Sequence, residues 1–219
     1  MRNYFKYLIY LYVFIGFSVA HASASDDFFI AVKRDDPKTI LTLMLRGFDP
    51  NTLNADKQHG LFIALQEPSL KVAKLLIETP QTNLDFISPA GETALMIAAL
   101  KGHTDMVNAI LRKQPEVNKT GWTALHYAST GGHTQIIRIL LDHYAYIDAA
   151  APNGTTPLMM AAQYGSTEAV KLLLDEGADP TLKSQLGLGA VDFAQLGSHP
   201  DSLALITAAV RAKEPKGKW

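Results

Sequence analysis

The fold class that the sequence predicts is an all-α solenoid of about six stacked helix–turn–helix units with short β-hairpin or turn fingers between them. Three observations predict it. First, GETALMIAALKGHTDMVNAIL from Gly91, GWTALHYASTGGHTQIIRILL from Gly121 and GTTPLMMAAQYGSTEAVKLLL from Gly154 align without gaps, and the last two starts lie 33 residues apart. Second, each copy carries apolar residues at helical spacing, as at Val107, Ile110 and Leu111. Third, each helix pair leaves one apolar face uncovered, so it must stack on a neighbour.

The first element is separate from the array. Arg2 and Lys6 precede an apolar run, YLIYLYVFIGFSVA (Tyr7 to Ala20), and HASA follows with Ala22 and Ala24 in an A-x-A arrangement. That order predicts a cleavable signal peptide over 1–24, cut after Ala24 or, as second choice, after Ala22. The run is short for a bilayer span of about 20 residues, which argues against an uncleaved anchor. Without Arg2 and Lys6 the chain keeps 18 basic against 21 acidic residues, a net charge of −3. The absence of cysteine excludes disulfides, thiolate zinc sites and cysteine nucleophiles. An exported chain that needs no oxidative folding suits a bacterial periplasm, or secretion.

The repeat domain is expected over 25–212. It opens with a capping repeat at 26–56, two helices split by Asp35, Asp36 and Pro37. Residues 57–90 keep the apolar spacing but lose the Thr-Ala-Leu-His string and carry Pro68 near the inter-helix turn. The repeats at 91–120, 121–153 and 154–186 share one plan. Thr93, Thr123 and Thr156 stand where a helix needs an N-cap, and Pro157 follows where a missing N–H is harmless. Gly102, Gly132 and Gly165 are placed to end the first helix in the left-handed conformation. A degenerate capping repeat at 187–212 precedes a polar tail, 213–219, read as disordered.

The string G-x-T-[AP]-L-H-x-A-A-x-x-G-H, an apolar helix and then G-A-D resembles the ankyrin repeat. LLLDEGADPTLK (Leu172 to Lys183) and LMLRGFDPNTLN (Leu43 to Asn54) resemble its closing segment equally well. Two departures stand out. Gly91 and Gly121 are only 30 residues apart, and the three missing residues fall after Thr120, which predicts a stunted finger there. The glycine that closes the second helix is present as Gly47 and Gly177, but Tyr144 takes its place in the fourth repeat. A left-handed tyrosine costs on the order of 1 kcal/mol, so that corner is strained or differently capped.

The resemblance implies a non-catalytic protein-binding module. Its expected contact positions are Glu92, Leu100 and Lys101 in the third repeat, Trp122, Thr130 and Gly131 in the fourth, and Thr155, Gln163 and Tyr164 in the fifth. Gln58, Gln66 and Glu67 in the second repeat and Leu188 and Leu196 in the sixth complete the set. Trp122 and Tyr164 are the aromatic anchors, although Trp122 also reads as a lid over the shortened finger. The fingertip residues Ser88, Pro89, Pro152, Asn153, Ser184 and Gln185 are secondary. The resemblance makes His126 a structural residue bonded to the neighbouring repeat's turn and puts His103 and His133 in Gly-His turns.

No histidine pair has metalloprotease spacing, no phosphate-binding glycine loop occurs, and no two acids converge, so no cofactor, metal or catalytic residue is assigned. His59, His143 and His199 are scattered, with a metal role left open. Asn118 opens an Asn-Lys-Thr glycosylation triplet. The expected partner is a protein rather than nucleic acid or membrane, and the chain is expected to be a monomer. A periplasmic inhibitor or immunity protein and a small-ligand-binding accessory subunit are the alternatives. A membrane-tethered adaptor is a further one.

Overall fold

The structure is a computed structural model and describes residues 24–213. The apolar run of the expected signal peptide, Ala22 and the tail beyond Lys213 lie outside the described residues. The chain divides after Asn83 into two compact units.

The described residues of the first unit form four helices: α1 at residues 24–33, α2 (Pro37–Leu45), α3 (Gly60–Gln66) and α4 (Leu70–Glu78). Asp36 caps α2, its carboxylate accepting from the Lys38 and Thr39 amides at 3.1 and 3.2 Å, with Pro37 in the first turn. Asp35 takes a left-handed turn, φ 52°, and its carboxylate accepts from the Val72 amide at 2.9 Å. Three orphan donors at two helix starts are thus satisfied by consecutive aspartates. Phe28, Val32, Ile40, Leu61, Leu65 and Leu76 form the core, and the Phe28 ring lies 4.8 Å from that of Phe48. Burying one such side chain contributes roughly 2 kcal/mol.

The second unit holds α5 (Ala94–Leu100), α6 (Thr104–Leu111), α7 (Ala124–Thr130), α8 (Thr134–Asp142), α9 (Pro157–Tyr164), α10 (Thr167–Asp175), α11 (Ala190–Leu196) and α12 (Pro200–Lys213). The first helices of the four repeats form one row: α7 packs between α5 and α9, and α11 packs on α9. The second helices form another, α8 against α6 and α10, and α10 against α12. The alanines explain the close inner row. Ala94, Ala98, Ala99, Ala124, Ala128, Ala161, Ala162, Ala190 and Ala194 are all buried, so adjacent helices meet with little side chain between them.

The fingers are turns rather than hairpins. Ser88 donates its amide to Glu92, Ala151 to Thr155 and Ser184 to Leu188, each at 2.8 or 2.9 Å. Gly91, Gly121, Gly154 and Gly187 recur at the same place with positive φ. Isolated bridges join Leu53 to His59 in the first unit and Lys183 to Gly189 in the second. In the shortened loop after Gln114 the Lys119 ammonium donates to the Thr120 and Trp122 carbonyls at 3.1 and 3.4 Å.

One expected turn differs. Gly102 and Gly132 are left-handed at φ 73° and 67°, but Gly165 is extended at φ −82° and ψ −169°. The cause is Ser166, which stands where the other repeats carry histidine. It caps α10 through its hydroxyl, accepting from the Ala169 amide, and its own backbone is extended. A glycine is still needed, because a Cβ at 165 would sit 2.4 Å from the Ser129 carbonyl oxygen. At the end of α8, Tyr144 does adopt the left-handed conformation, φ 63°, and Gln114 does the same after α6 at φ 55°.

Candidate functional site

The inner row of the second unit is built by its caps. The Thr93 hydroxyl accepts from the Met96 amide and the Thr156 hydroxyl from the Met159 amide, which fixes where α5 and α9 begin. In the fourth repeat histidine does the reciprocal work. His126 Nδ1 accepts from the Thr123 amide at 3.2 Å and lies 2.9 Å from its hydroxyl, and Nε2 donates to the Thr155 carbonyl at 3.0 Å. His126 therefore bonds to the next repeat's turn as expected. In the sixth repeat the Asp192 carboxylate accepts from the Gly189 amide at 2.7 Å.

Three other histidines are structural too. His133 and His199 lie 2.9 and 3.1 Å from the carbonyl oxygens of Leu100 and Gln163, each reaching back to the preceding repeat. His59 is buried, caps α3 by accepting from the Leu61 amide, and touches the Asn51 side chain at 3.3 Å. Burial pushes both His59 and His126 down to about 4. Among the described residues no group of three His, Asp or Glu side chains is placed to hold a metal ion.

Side-chain amides and carboxylates tie successive closing loops together. Asn51 accepts from the Asn83 amide at 2.7 Å in the first unit. In the second, Asn118 accepts from the Tyr146 amide and donates to the Tyr144 carbonyl, both at 2.8 Å, and Asp148 accepts from the Asp179 amide at 3.0 Å. The glycosylation triplet at Asn118 thus has its amide engaged on both sides.

The expected contact residues fall into three groups. Tyr164 and Leu196 stand out from the surface at 58% and 64% exposure, and Lys101 is exposed beside them in kind. Leu100, Thr130, Gln163, Leu188, Glu92 and Trp122 are half-buried. The Trp122 ring meets His126 edge-on, with centroids 5.2 Å apart. Gln66 and Glu67, at the end of α3, are exposed in the first unit. Thr155 is a correction: it is 1% exposed and unavailable to a partner. Its carbonyl accepts from His126 and its amide donates to Asn153, which together draw its backbone inward.

The sequence reading missed Tyr127. Its hydroxyl donates to a Glu92 carboxylate oxygen at 3.1 Å, joining the third finger to the fourth first helix. Burial, then the negative charge of Glu92, push it up to about 12, so it remains a protonated donor. The aromatic after His126 in the repeat pattern was the available signal.

Known proteins place this architecture. A family model described as Ankyrin repeats (3 copies) matches residues 28–120 and 113–184. Mouse Ankyrin repeat and SAM domain-containing protein 6 is 39% identical over 153 residues, covering 70% of this chain and 14% of that protein. Human Transient receptor potential cation channel subfamily A member 1 is 36% identical over 166 residues, covering 70% and 15% respectively. Human BCL-6 corepressor-like protein 1 is 43% identical over 109 residues, covering 48% and 6%. The chain thus spans a small part of each of these relatives. With threonine caps, alanine-lined inner helices and returning glycine turns over the matched residues, the chain belongs to the ankyrin-repeat family.

Proposed function

We propose that this chain is a non-catalytic recognition module that binds a protein partner through the inner face of its second unit. The observation that carries the reading is Tyr164. An aromatic side chain, 58% exposed, sits at the end of α9 on a row of helices tied by caps and short turns. A rigid aromatic anchor loses little conformational freedom on docking and contributes about 2 kcal/mol or more when a partner's pocket encloses it. Leu196 offers a second apolar contact at the corresponding end of α11.

The test is affinity capture with the purified protein and a Tyr164→Ala, Leu196→Ser double variant. The variant is expected to lose the captured partner while keeping its melting temperature and helical circular dichroism. Equal capture by both proteins removes the inner face from consideration.

The N-terminal segment supports export, to a periplasm or beyond the cell. Within this reading the partner is met outside the cytoplasm, and inhibition of a toxin or hydrolase is one form the recognition takes. N-terminal sequencing of the mature protein tests export: a start at Ser25 or Ser23 supports it, and a retained Met1 opposes it.

A further inference from the structure

We infer that Glu92 and Tyr127 form a seat for a basic side chain of the partner, and that the partner segment presents an arginine beside an apolar residue. This rests on the protein-recognition reading and narrows it to a chemistry.

Glu92 is held in place before any partner arrives. Its amide donates to the Ser88 hydroxyl at 3.2 Å, its carbonyl accepts from the Ser88 amide at 2.9 Å, and one carboxylate oxygen accepts from Tyr127 at 3.1 Å. Residue and tyrosine are both half-buried. The ion pairs among the described residues use Glu176, Asp175, Asp192 and Asp179, and none includes Glu92. Of the bases in the second unit, Lys119 donates to the Thr120 and Trp122 carbonyls, and the other to weigh is Lys101. It lies beyond the far end of α5, whose seven residues span about 10 Å at 1.5 Å each.

A half-buried carboxylate held in place and without an ion pair is available to accept from a partner's cation. Water screens the pair less at a half-buried site than on an open surface. The tyrosine occupies one lone pair, which leaves the other oxygen and a further lone pair for a guanidinium fork. Trp122, the counterpart of Glu92 in the next repeat, is half-buried and apolar, so one apolar neighbour fits beside the arginine. An acidic segment meets repulsion at Glu92 instead.

The experiment pans a random linear peptide library, displayed on phage, against the purified protein. Selected peptides are then synthesised and titrated against the wild type, Glu92→Gln, Tyr127→Phe and Tyr164→Ala. The expected peptides carry arginine or lysine beside an apolar residue. Glu92→Gln is expected to weaken them by about tenfold and to flatten their salt dependence, with its thermal melt unchanged. Tyr127→Phe is expected to weaken them less, because the carboxylate remains but is no longer held. Selected peptides without a basic residue, equal affinity for Glu92→Gln, or no enrichment at all overturn the seat. If peptides insensitive to Glu92 still depend on Tyr164, the recognition reading stands and only the seat falls. If they depend on neither, both fall.

Discussion

Single side chains in the second unit depart from the repeat pattern at a measurable cost. Ser129 occupies an alanine position on α7. It is fully buried, and its hydroxyl has no hydrogen-bond partner. Dehydrating an unpaired hydroxyl costs more than the hydroxyl returns, so Ser129→Ala should raise stability by about 1 kcal/mol, read as a higher midpoint in urea. Tyr144 is left-handed and 85% exposed, so its strain brings no packing in return within the chain. Tyr144→Gly relieves about 1 kcal/mol of backbone strain and adds about half of that in unfolded-chain entropy, for a net gain of about 0.5 kcal/mol. A drop in melting temperature for that variant contradicts the strain argument.

At the scale of elements, helices were legible in the sequence because three signals coincide: apolar spacing, a threonine cap, and a stop. Where the stop was less regular, the reading failed for local reasons. Gly165 resembles Gly132 in sequence, but the Ser166 cap turns its backbone to an extended course. Thr155 holds a position that is half-exposed in its counterparts Glu92, Trp122 and Leu188, yet its bonds to His126 and Asn153 bury it. Tyr127 went unseen because its partner lies 35 residues earlier and the link is made only once α7 packs beside the third finger. The shortened loop was legible from residue counting alone. How Asn118 bridges it was not, since that depends on where Tyr144 and Tyr146 come to rest. Asn118→Ala removes both bonds at a partly exposed seam and should cost about 1 kcal/mol. Hydrogen exchange at the Tyr146 amide should speed up, and unchanged protection there would falsify the tie.

For the whole molecule, pH acts on both units through the same chemistry. His59 lies in the first and His126 in the second, each buried and each held neutral down to about 4. In the unfolded chain a histidine titrates near 6.5. The unfolded state therefore binds protons first as pH falls. Stability is complete above about pH 6.5 and declines between there and about pH 4, by on the order of 3 kcal/mol per histidine. Melting temperature measured from pH 7.5 to 4 should fall through that window. His126→Asn lowers the starting stability and removes its share of the slope, leaving that of His59. A flat profile for the wild type means that neither imidazole is as enclosed as the structure places it. The described helices include none long and apolar enough to cross a membrane.

Asn118 has one further consequence, which concerns timing. Both ends of its amide are held by main-chain groups that lie 26 and 28 residues later. Its side chain thus joins two closing loops whose residues are far apart in the sequence, so this seam forms only after the chain has run on to residue 146.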